Sequence, residues 1–461
     1  MDCKAPTIAQ SRSGESEVVA FSLSGEEICQ RDFSSHQLHV KQLLKSVVSS
    51  RTAQVALCCA DSYHFAVALR AVNALGLDLV LLPNHQPKTI DAHQGQFDLI
   101  LTDVLDFPTI NKQVLFIELT DTYSQAYQPV FGWQASNIVM YTSGSTGEPK
   151  AIHKRLSQLI EEVDALGELF CPTDAGSAVI STVSHQHIYG LLFRILWPLR
   201  SGQAFCRENI EFQEQLKELR CSDKSFSSYT LISSPAFLKH LQQGDGALAE
   251  LSHVFSSGGP LSVKHAAKAR DILGCRVTEV LGSTETGGIA WRQQKVGSVL
   301  WQPLPGVKVD ICDAGNLVVT SPYAGGTHYS QDKIELHENG LFDHKGRADR
   351  IVKVAEKRLS LAELEAFAEQ SFLVKEAAAV LVTRGRRECV GLAVSLSPEG
   401  HRLLLEQGRR HCNLEINSYL ITRFERVLLP RFFRYCDCIP VNSQGKRVQT
   451  ALNALFLEKE E

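Results

Sequence analysis

Short apolar runs alternate with longer amphipathic segments through much of the chain. The run VALCCA at 55–60 is followed by HFAVALRAVNALG, whose apolar positions suit a buried helix that ends at Gly76. Further apolar runs follow as LVLLP from Leu79, DLILTD and VLFIEL. Strands that alternate with helices are typical of a parallel sheet covered by helices. The pattern therefore predicts an α/β fold.

The pattern changes after about residue 295. GVKVDICDAGNLVVTSP alternates apolar and polar residues around a turn at 313–316, which predicts a β-hairpin. A charged, turn-rich segment follows and indicates a connection between domains. In SLAELEAFAEQ, Ser360 is placed to cap a new helix and Glu363 stands three residues later, as in a capping box. We therefore predict that a large N-terminal part and a small α+β C-terminal part meet near Asp349.

One segment, IVMYTSGSTGEPKAI at 138–152, combines an apolar start with a Gly, Ser and Thr-rich centre. The apolar start predicts a buried strand, and the apolar residues after Pro149 recur at helical spacing, so the segment is expected to join a strand to a helix. Gly144 and Gly147 allow main-chain amides to curl around an anion, and Lys150 adds a positive charge. Ala151 stands where a Walker A loop needs a hydroxyl, which excludes a P-loop NTPase.

Composition narrows the function further. The chain has 461 residues, 44% hydrophobic and 21% charged, which is ordinary for a soluble globular enzyme. The formal net charge of -4 leaves no basic footprint for nucleic acid. The N-terminal residues contain no apolar run typical of a signal peptide, and no apolar run is as long as a membrane span. We therefore expect a cytoplasmic protein.

The thirteen cysteines are interpreted as mostly buried apolar residues. Cys58 and Cys59 are adjacent, and Cys436 and Cys438 are separated by one residue, so neither pair has the spacing of a zinc site. No metal or disulfide role is predicted for them.

The decamer YTSGSTGEPK resembles the signature of the adenylate-forming superfamily, which contains acyl- and aryl-CoA synthetases, adenylation domains and luciferases. The resemblance extends from about residue 50 to the C-terminus. The further segments that resemble family motifs, in the family's order, are SHQHIYGLLF (184–193), FSSGGPLS (255–262), VLGSTETGG (280–288), GRADRIVKVAEKRLSLAELE (346–365) and NSQGKRVQTAL (442–452).

This resemblance implies a fold and an activity. The expected fold is α/β, with an N-terminal domain over 1–348 of layered α/β sheets plus a small β-barrel-like subdomain. A small mobile α+β C-terminal domain is expected over 349–461, with its hinge at Asp349. The implied reaction forms an acyl- or aryl-adenylate and pyrophosphate from a carboxylic acid and ATP, and then transfers the acyl group to a phosphopantetheine thiol.

The resemblance also implies the ATP site. The residues that would cradle the β- and γ-phosphates are Thr142, Ser143, Gly144, Ser145, Thr146, Gly147 and Lys150. The residues that would contact adenine and ribose are Gly258, Gly259, Pro260, Leu281, Gly282, Ser283, Asp332 and Arg347. Thr284 would donate to the α-phosphate, and Glu285 would hold Mg²⁺, a cation that prefers oxygen ligands.

Two further parts complete the implied site. Lys446 would bridge the substrate carboxylate and the α-phosphate. The residues implied for the acyl pocket are His187, Tyr189, Ser257 and Gly287. A histidine beside an apolar run is more often a satisfied core residue. The position of His187 in the motif instead implies a catalytic gate beside the acyl or thiol tunnel.

The chain departs from the family's pattern at positions that bear on the acceptor. Leu281 stands where an aromatic residue usually stacks on adenine, and Ser330 and Gln331 precede Asp332 where Thr and Gly are usual. Glu356 stands where a Gly is expected beside the path of pantetheine. A similar hinge occurs in stand-alone ligases that load 4-hydroxybenzoate-like acids onto acyl carrier proteins for aryl polyene pigments.

We therefore expect a carrier-protein thiol as acceptor, with four basic residues near the hinge available to an acidic carrier, namely Arg350, Lys353, Lys357 and Arg358. The alternatives left open are a ligase that uses free CoA and a non-catalytic nucleotide-binding protein on the same fold. A luciferase-like oxygenase has only fold analogy in its favour.

Overall fold

The structure, a computed structural model, describes the residues 14–48, 50, 53–119, 132–143, 149–170, 176–221, 226–244, 248–294, 300–354, 357–384, 387–441 and 447–457. Among these residues, no helix is both long and apolar enough to cross a membrane.

The strands are numbered in chain order. Those up to residue 206 are β1 (Val18–Phe21), β2 (Glu27–Cys29), β3 (Gln54–Cys58), β4 (Asp78–Leu81), β5 (Leu99–Thr102), β6 (Gln113–Phe116), β7 (Asn137–Ser143), β8 (Pro149–Arg155), β9 (Ser177–Ser181) and β10 (Ala204–Cys206). Those up to residue 321 are β11 (Ser228–Ser233), β12 (Leu251–Ser256), β13 (Val277–Ser283), β14 (Gly287–Gln293), β15 (Gln302–Pro303), β16 (Lys308–Ile311) and β17 (Asn316–Ser321). The remaining ones are β18 (Gly326–Leu336), β19 (Phe342–Arg347), β20 (Ile351–Val354), β21 (Lys357–Ser360), β22 (Val374–Arg384), β23 (Arg387–Leu396) and β24 (Phe432–Tyr435).

The helices are numbered in the same way. They are α1 (Gln30–Val47), α2 (Ser62–Asn73), α3 (Pro87–His93), α4 (Leu156–Phe170), α5 (Ile188–Gly190), α6 (Trp197–Ser201), α7 (Gln215–Cys221), α8 (Pro235–His240), α9 (Val263–Leu273), α10 (Leu361–Ala368), α11 (Pro398–Leu420) and α12 (Gln449–Leu457). A π-helical segment, Leu191–Leu196, connects α5 to α6.

Two large sheets form the first part of the protein. The six-stranded sheet has the order β6-β5-β3-β4-β7-β8 and is parallel except for the pairing of β7 with β8. The nine-stranded sheet has the order β15-β14-β13-β12-β11-β9-β10-β1-β2, with parallel central strands and antiparallel strands at both edges. The predicted α/β class with layered sheets is confirmed.

One hydrophobic core joins the two large sheets. It contains residues of both, such as Leu57 on β3 and Phe255 on β12, together with Leu69 on α2 and Leu159 on α4. Because packed interiors resist deformation, this shared core holds the ends of the strands of the two sheets in a fixed relation.

Smaller sheets follow in the second part. The strands β16 to β19 form an antiparallel sheet, and the predicted hairpin turn lies between β16 and β17, with Gly315 at φ +75°. The C-terminal residues form the hairpin β20-β21 and the sheet β22-β23-β24, and their two core clusters are built from residues between 354 and 456. The predicted domain boundary near Asp349 agrees with these separate cores and stays a prediction.

The Gly-, Ser- and Thr-rich residues 142–147 are called the phosphate loop below. The segment after this loop differs from its prediction. Pro149–Arg155 is a strand antiparallel to β7, and the helix begins only at Leu156. Burial alternates along this strand, with Ile152 and Lys154 buried and Ala151 and His153 exposed. The expectation that the loop runs directly into a helix is therefore wrong, because Ile152 belongs to a period of two.

The capping prediction for α10 is confirmed only in its first half. Ser360 Oγ accepts from the main-chain N–H of Glu363 at 3.2 Å. The carboxylate of Glu363 accepts instead from Arg423, at 2.8 and 3.1 Å. An ion pair between α10 and the turn after α11 has thus replaced the reciprocal bond of the box.

The described cysteines follow the sequence prediction in part. Cys58 and Cys59 are buried, whereas Cys436 is partly exposed and Cys438 exposed. Burial raises the pKa of Cys58 to about 12, so this thiol stays protonated and unreactive.

Candidate active site

Three motifs meet where the two large sheets adjoin. The strand β7 ends at the start of the phosphate loop, β12 ends before Ser257, and β13 ends before Thr284. These strands are parallel to their inner neighbours, and ligands of open α/β sheets bind beyond the carboxyl ends of such strands. The fold thus gathers segments that are far apart in the sequence.

The phosphate loop is closed by a β-hairpin. Thr142 on β7 lies opposite Lys150 on β8, and the main chain of Ser143 ends β7. The predicted phosphate-binding residues Gly144, Ser145, Thr146 and Gly147 lie outside the described residues.

Lys150 and Glu285 are brought together by the fold. Lys150 Nζ lies 3.9 Å from Glu285 Oε1, with the lysine side chain 65% exposed and the glutamate side chain 34% exposed. An ion pair this open contributes little to stability. The ion pair instead shows that a cation and a carboxylate from two separate motifs face the same solvent-accessible space.

The segment Gly282-Ser283-Thr284-Glu285, called the Gly-x-Thr-Glu motif below, leads into the tight turn between β13 and β14. Ser283 Oγ and Thr286 Oγ1 are 3.0 Å apart, and each also accepts from the other residue's main-chain N–H at 3.2 Å. A Cβ on Gly282 would lie 2.6 Å from the carbonyl oxygen of Gly287. Only glycine fits this approach, so the turn presents Thr284 and Glu285 in a defined geometry.

Two residues that the sequence analysis did not single out lie beneath this turn. Lys154, buried on β8, donates to the carbonyl oxygens of Glu285 and Tyr323, both at 3.0 Å. Glu162, buried on α4, accepts at Oε1 from the N–H of Gly288 at 2.6 Å. Glu162 had a positional signal, because it stands on the apolar face of its helix, three residues after Leu159. Lys154 had none, because its strand is recognised only from its pairing with β7.

The buried Glu162 carboxyl gives the fold a pH dependence. Burial raises its pKa from 4.5 to about 7, although the Gly288 amide and the charge of Lys154 oppose the shift. The titratable groups that face it from neighbouring elements include Lys154 and Tyr323. Because the folded state binds this proton more tightly than the unfolded chain does, Glu162 destabilises the fold as the pH rises from 4.5 to about 7.

Glu162→Gln should remove this pH dependence. We expect the unfolding free energy of the variant, relative to the wild type, to rise by on the order of 2 kcal/mol between about pH 5 and about pH 8, since each pKa unit corresponds to about 1.4 kcal/mol. Urea unfolding at a series of pH values measures it. Glu161→Gln, at the exposed neighbouring position, is the matched control. A difference between Glu162→Gln and the wild type that stays constant with pH would contradict the expectation.

The predicted adenine-side loop follows β12. Ser257 Oγ donates to the carbonyl oxygen of Val280 at 2.8 Å, which ties the start of this loop to β13. Gly258 has φ +87°, and Gly259 and Pro260 are exposed. The loop therefore leaves an open main-chain edge.

Leu281 lies across from that loop. It packs in part against the large core and is partly exposed, so its side chain offers an apolar surface.

Asp332 and Arg347 face each other across β18 and β19. Asp332 Oδ1 accepts from His344 Nε2 at 3.1 Å, and Ser330 Oγ donates to Oδ2. Burial alone would raise the pKa of Asp332, but the hydrogen bonds from His344 and Ser330 outweigh burial and hold it below its ordinary value. The carboxylate is therefore ionised at neutral pH and oriented as a hydrogen-bond acceptor.

The segment with His187 is anchored by its neighbour. His185 is buried, with Nδ1 2.9 Å from Ser62 Oγ and Nε2 3.0 Å from the carbonyl oxygen of Cys59. Burial lowers the pKa of His185 to about 3, so this ring stays neutral and structural. His187 precedes α5 and is partly exposed, and its main chain is extended.

Aromatic rings fill the space next to Tyr189. Its ring centroid is 4.9 Å from that of Phe193, which contacts Trp197 at 5.4 Å and Phe255 at 5.2 Å. Burial raises the pKa of Tyr189 well above its ordinary value, so the phenol is neutral. Of the other predicted acyl-pocket residues, Ser257 directly follows β12 and Gly287 begins β14.

The C-terminal part of the site is described only at its base. Lys446 lies outside the described residues, and of Asp349 only the main chain, in the turn Ala348–Arg350, is described. Arg447 pairs across an antiparallel bridge with Val441, and its Nη1 lies 2.5 Å from Glu365 Oε2.

Glu365 contacts part of the predicted basic surface at the hinge, of which the side chains of Lys353 and Arg358 lie outside the described residues. Its Oε1 accepts from Arg350 Nη2 at 2.5 Å and from the N–H of Ala379 at 2.6 Å. Arg350 is therefore partly exposed and already ion-paired with Glu365, and its contact with a carrier protein stays a prediction. Lys357 is exposed but pairs with Glu425.

The donor set suits a magnesium ion that is shared with phosphates. Within the described ranges, no group of three or more His, Cys, Asp or Glu side chains is placed to hold a metal ion. Mg²⁺ keeps several waters and is commonly held by one or two carboxylates plus substrate phosphates. A single accessible carboxylate at Glu285 fits this requirement.

Comparisons with known proteins agree with this arrangement. Residues 86–327 match the family described as AMP-binding enzyme. The chain is 25% identical over 325 residues to a 4-coumarate–CoA ligase of Cereibacter sphaeroides, covering 70% of this chain and 73% of the relative. It is 25% identical over 349 residues to an L-proline–L-prolyl-carrier protein ligase of Pseudomonas fluorescens, covering 68% of this chain and 67% of the relative.

Among solved structures, a benzoate CoA ligase from Burkholderia xenovorans superimposes with a TM-score of 0.80 over 96% of this chain and 97% of its own. At 16% identity this likeness concerns the fold.

Proposed function

Because the chain belongs to the AMP-binding enzyme family, we propose that it activates a carboxylic acid with ATP, releases pyrophosphate and transfers the acyl group to a phosphopantetheine thiol. The observation that carries the proposal is the approach of Lys150 to Glu285, which joins the phosphate-loop and Gly-x-Thr-Glu motifs. Attack of a carboxylate on the α-phosphorus brings two anions together. Catalysis therefore requires positioning and charge neutralisation.

The chain's own residues divide this work. Lys150 would face the β- and γ-phosphates, and Thr284 would donate to the α-phosphate. Asp332, ionised and oriented by His344, would accept from the ribose hydroxyls. Glu285 would hold Mg²⁺, which when bound supplies further positive charge to the phosphates.

The small C-terminal domain would complete the first step. We propose that it spans 349–461 and brings Lys446 to the substrate carboxylate and the α-phosphate. Rotation about Asp349 would then remove Lys446 and admit the thiol, so that one site serves two reactions. The separate C-terminal cores support independent movement.

For the acid, we propose a compact aromatic carboxylic acid of the 4-hydroxybenzoate type. The ring cluster around Phe193 occupies the space beyond Tyr189, which favours a short planar substrate over a long acyl chain. The similarity to a 4-coumarate–CoA ligase supports an aromatic acid.

For the acceptor, we propose the phosphopantetheine arm of an acyl carrier protein, as in ligases of aryl polyene clusters. One support is the sequence position of Glu356, which lies outside the described residues and takes the place of a Gly in the family pattern. The other is the similarity to a carrier-protein ligase. Free CoA is the second candidate, and it is favoured by the similarity to a 4-coumarate–CoA ligase.

An acceptor competition separates the two candidates. With ATP and 4-hydroxybenzoate, we expect loading of a holo acyl carrier protein to exceed acyl-CoA formation by roughly tenfold or more. A tenfold preference requires a difference in binding free energy of only about 1.4 kcal/mol between the two acceptors. Mass spectrometry of the carrier and chromatography of CoA products measure the two rates.

The acid is tested in the same experiment by pyrophosphate release with benzoic, hydroxybenzoic and short, medium and long aliphatic acids. Efficient acyl-CoA formation without carrier loading would reject the carrier. Absence of ATP–pyrophosphate exchange with every acid would reject acid activation itself.

A further inference from the structure

The turn that carries Thr284 and Glu285 belongs to the nine-stranded sheet but is held from the other sheet. Lys150 and Lys154 stand four residues apart on β8, so their side chains leave the same face of that strand. The first reaches the carboxylate of Glu285 and the second its carbonyl oxygen. One strand thus holds both the side chain and the main chain of Glu285.

Glu162 holds the other side of the turn. Its Oε1 accepts from the N–H of Gly288, the second residue of β14. A Cβ on Gly287 would lie 2.4 Å from Glu162 Oε2, so the main chain packs directly on the carboxyl group. Oε2 is buried and has no hydrogen-bond partner among the described residues.

Stability alone does not account for this choice of residues. Lys154 is 4% exposed and Glu162 is 1% exposed. Burying charged side chains costs several kcal/mol before hydrogen bonds offset it, and apolar residues of similar volume often serve stability as well or better. What the two side chains add is direction, because each fixes a named main-chain atom of the turn.

We propose that Lys154 and Glu162 are positioning residues for the acid-activation step, which hold the Thr284–Glu285 turn at the distance from the phosphate loop that the reaction requires. The proposal rests on the proposed function. Neither side chain touches the reacting atoms. They act through the main-chain atoms of Glu285 and Gly288.

The test compares the two half-reactions. In Lys154→Met, we expect the kcat of ATP–pyrophosphate exchange to fall roughly 10- to 100-fold, since misplacement of a reacting group by about 1 Å has effects of that size. Transfer to the thiol from a preformed acyl-adenylate should change by less than about threefold, because pyrophosphate has already left and only the contact of Thr284 with the α-phosphate would remain. The magnesium concentration for half-maximal exchange should rise in the same variant.

Matched controls are available beside both residues. Arg155→Met and Glu161→Gln change exposed neighbours of Lys154 and Glu162, and should leave both half-reactions unchanged. Glu162→Ala removes the acceptor of the Gly288 N–H and should reproduce the loss in exchange. Equal losses in both half-reactions, in proportion to the loss of folded protein, would reduce Lys154 and Glu162 to structural residues and overturn the proposal.

A second measurement does not depend on the reaction. Hydrogen exchange of peptides that cover 280–294 should accelerate in Lys154→Met, whereas peptides that cover β12 should not change. Unaltered hydrogen exchange at 280–294 in Lys154→Met would overturn the proposal even if the wild type proved inactive. If the wild type were inactive but hydrogen exchange at 280–294 accelerated in Lys154→Met, the proposed function would be rejected. The conclusion that Lys154 holds the Thr284–Glu285 turn would be retained.

Discussion

Glu285→Gln is expected to lower ATP–pyrophosphate exchange by at least about 100-fold, since removal of one preorganised electrostatic group typically costs 10²- to 10³-fold. The carboxylate lies at an accessible position 3.9 Å from Lys150, and the main-chain carbonyl oxygen of Glu285 accepts from Lys154. Glutamine keeps the shape and the hydrogen-bond acceptor but removes the charge that would hold Mg²⁺. Exchange measured across a magnesium titration checks this result.

The control for this variant is Glu338→Gln, which removes one exposed negative charge elsewhere on the surface. It should leave exchange unchanged. If Glu285→Gln retained ATP–pyrophosphate exchange within about threefold of the wild type at every magnesium concentration, the charge of Glu285 would not matter on the scale of a catalytic group. The proposed role of Glu285 in holding Mg²⁺ would then have to be abandoned.

The elements with a simple period could be predicted from the sequence. The runs that became β3, β5 and β6 are short, apolar and bounded by polar turns. The hairpin turn at 313–316 is marked by Asp313, Gly315 and Asn316. Both signals are local, so each could be identified without knowing what packs against it.

The strand β8 could not be assigned in the same way. Its buried positions hold Ile152 and Lys154, and a buried lysine hides the alternation that would mark a strand. Leu156 and Leu159 follow closely enough that the helical spacing extends back to Ile152. The partner that decides the matter is β7, on the other side of the phosphate loop.

The parts of the site that were missed depend on pairing between distant segments. His344 orients Asp332 because the register of β18 and β19 places them together. Glu365 engages Arg350 and Arg447 because α10 packs on β22 next to the hinge turn. A motif names the residues that meet a ligand, whereas the residues that hold them are found only once the strand order is known.

Lys446→Ala is expected to separate the two halves of the reaction. The lysine would supply the cation between the attacking carboxylate and the α-phosphate, so its loss should lower ATP–pyrophosphate exchange by about 10²- to 10³-fold. Thiol transfer from a preformed acyl-adenylate should change by less than about threefold, because rotation of the small domain would already have withdrawn this side chain. Exchange and AMP release from the isolated adenylate measure the two halves.

Lys375→Ala is the matched control, since it removes an exposed lysine of the same domain. It should leave both half-reactions unchanged. Undiminished exchange in Lys446→Ala would refute the role of this lysine, and so would an equal loss in both halves, because a residue that leaves the site between the two steps cannot serve the second. A loss confined to exchange would instead establish that the base of its loop, held by Arg447 and Glu365, belongs to a domain that works in the first step and moves for the second.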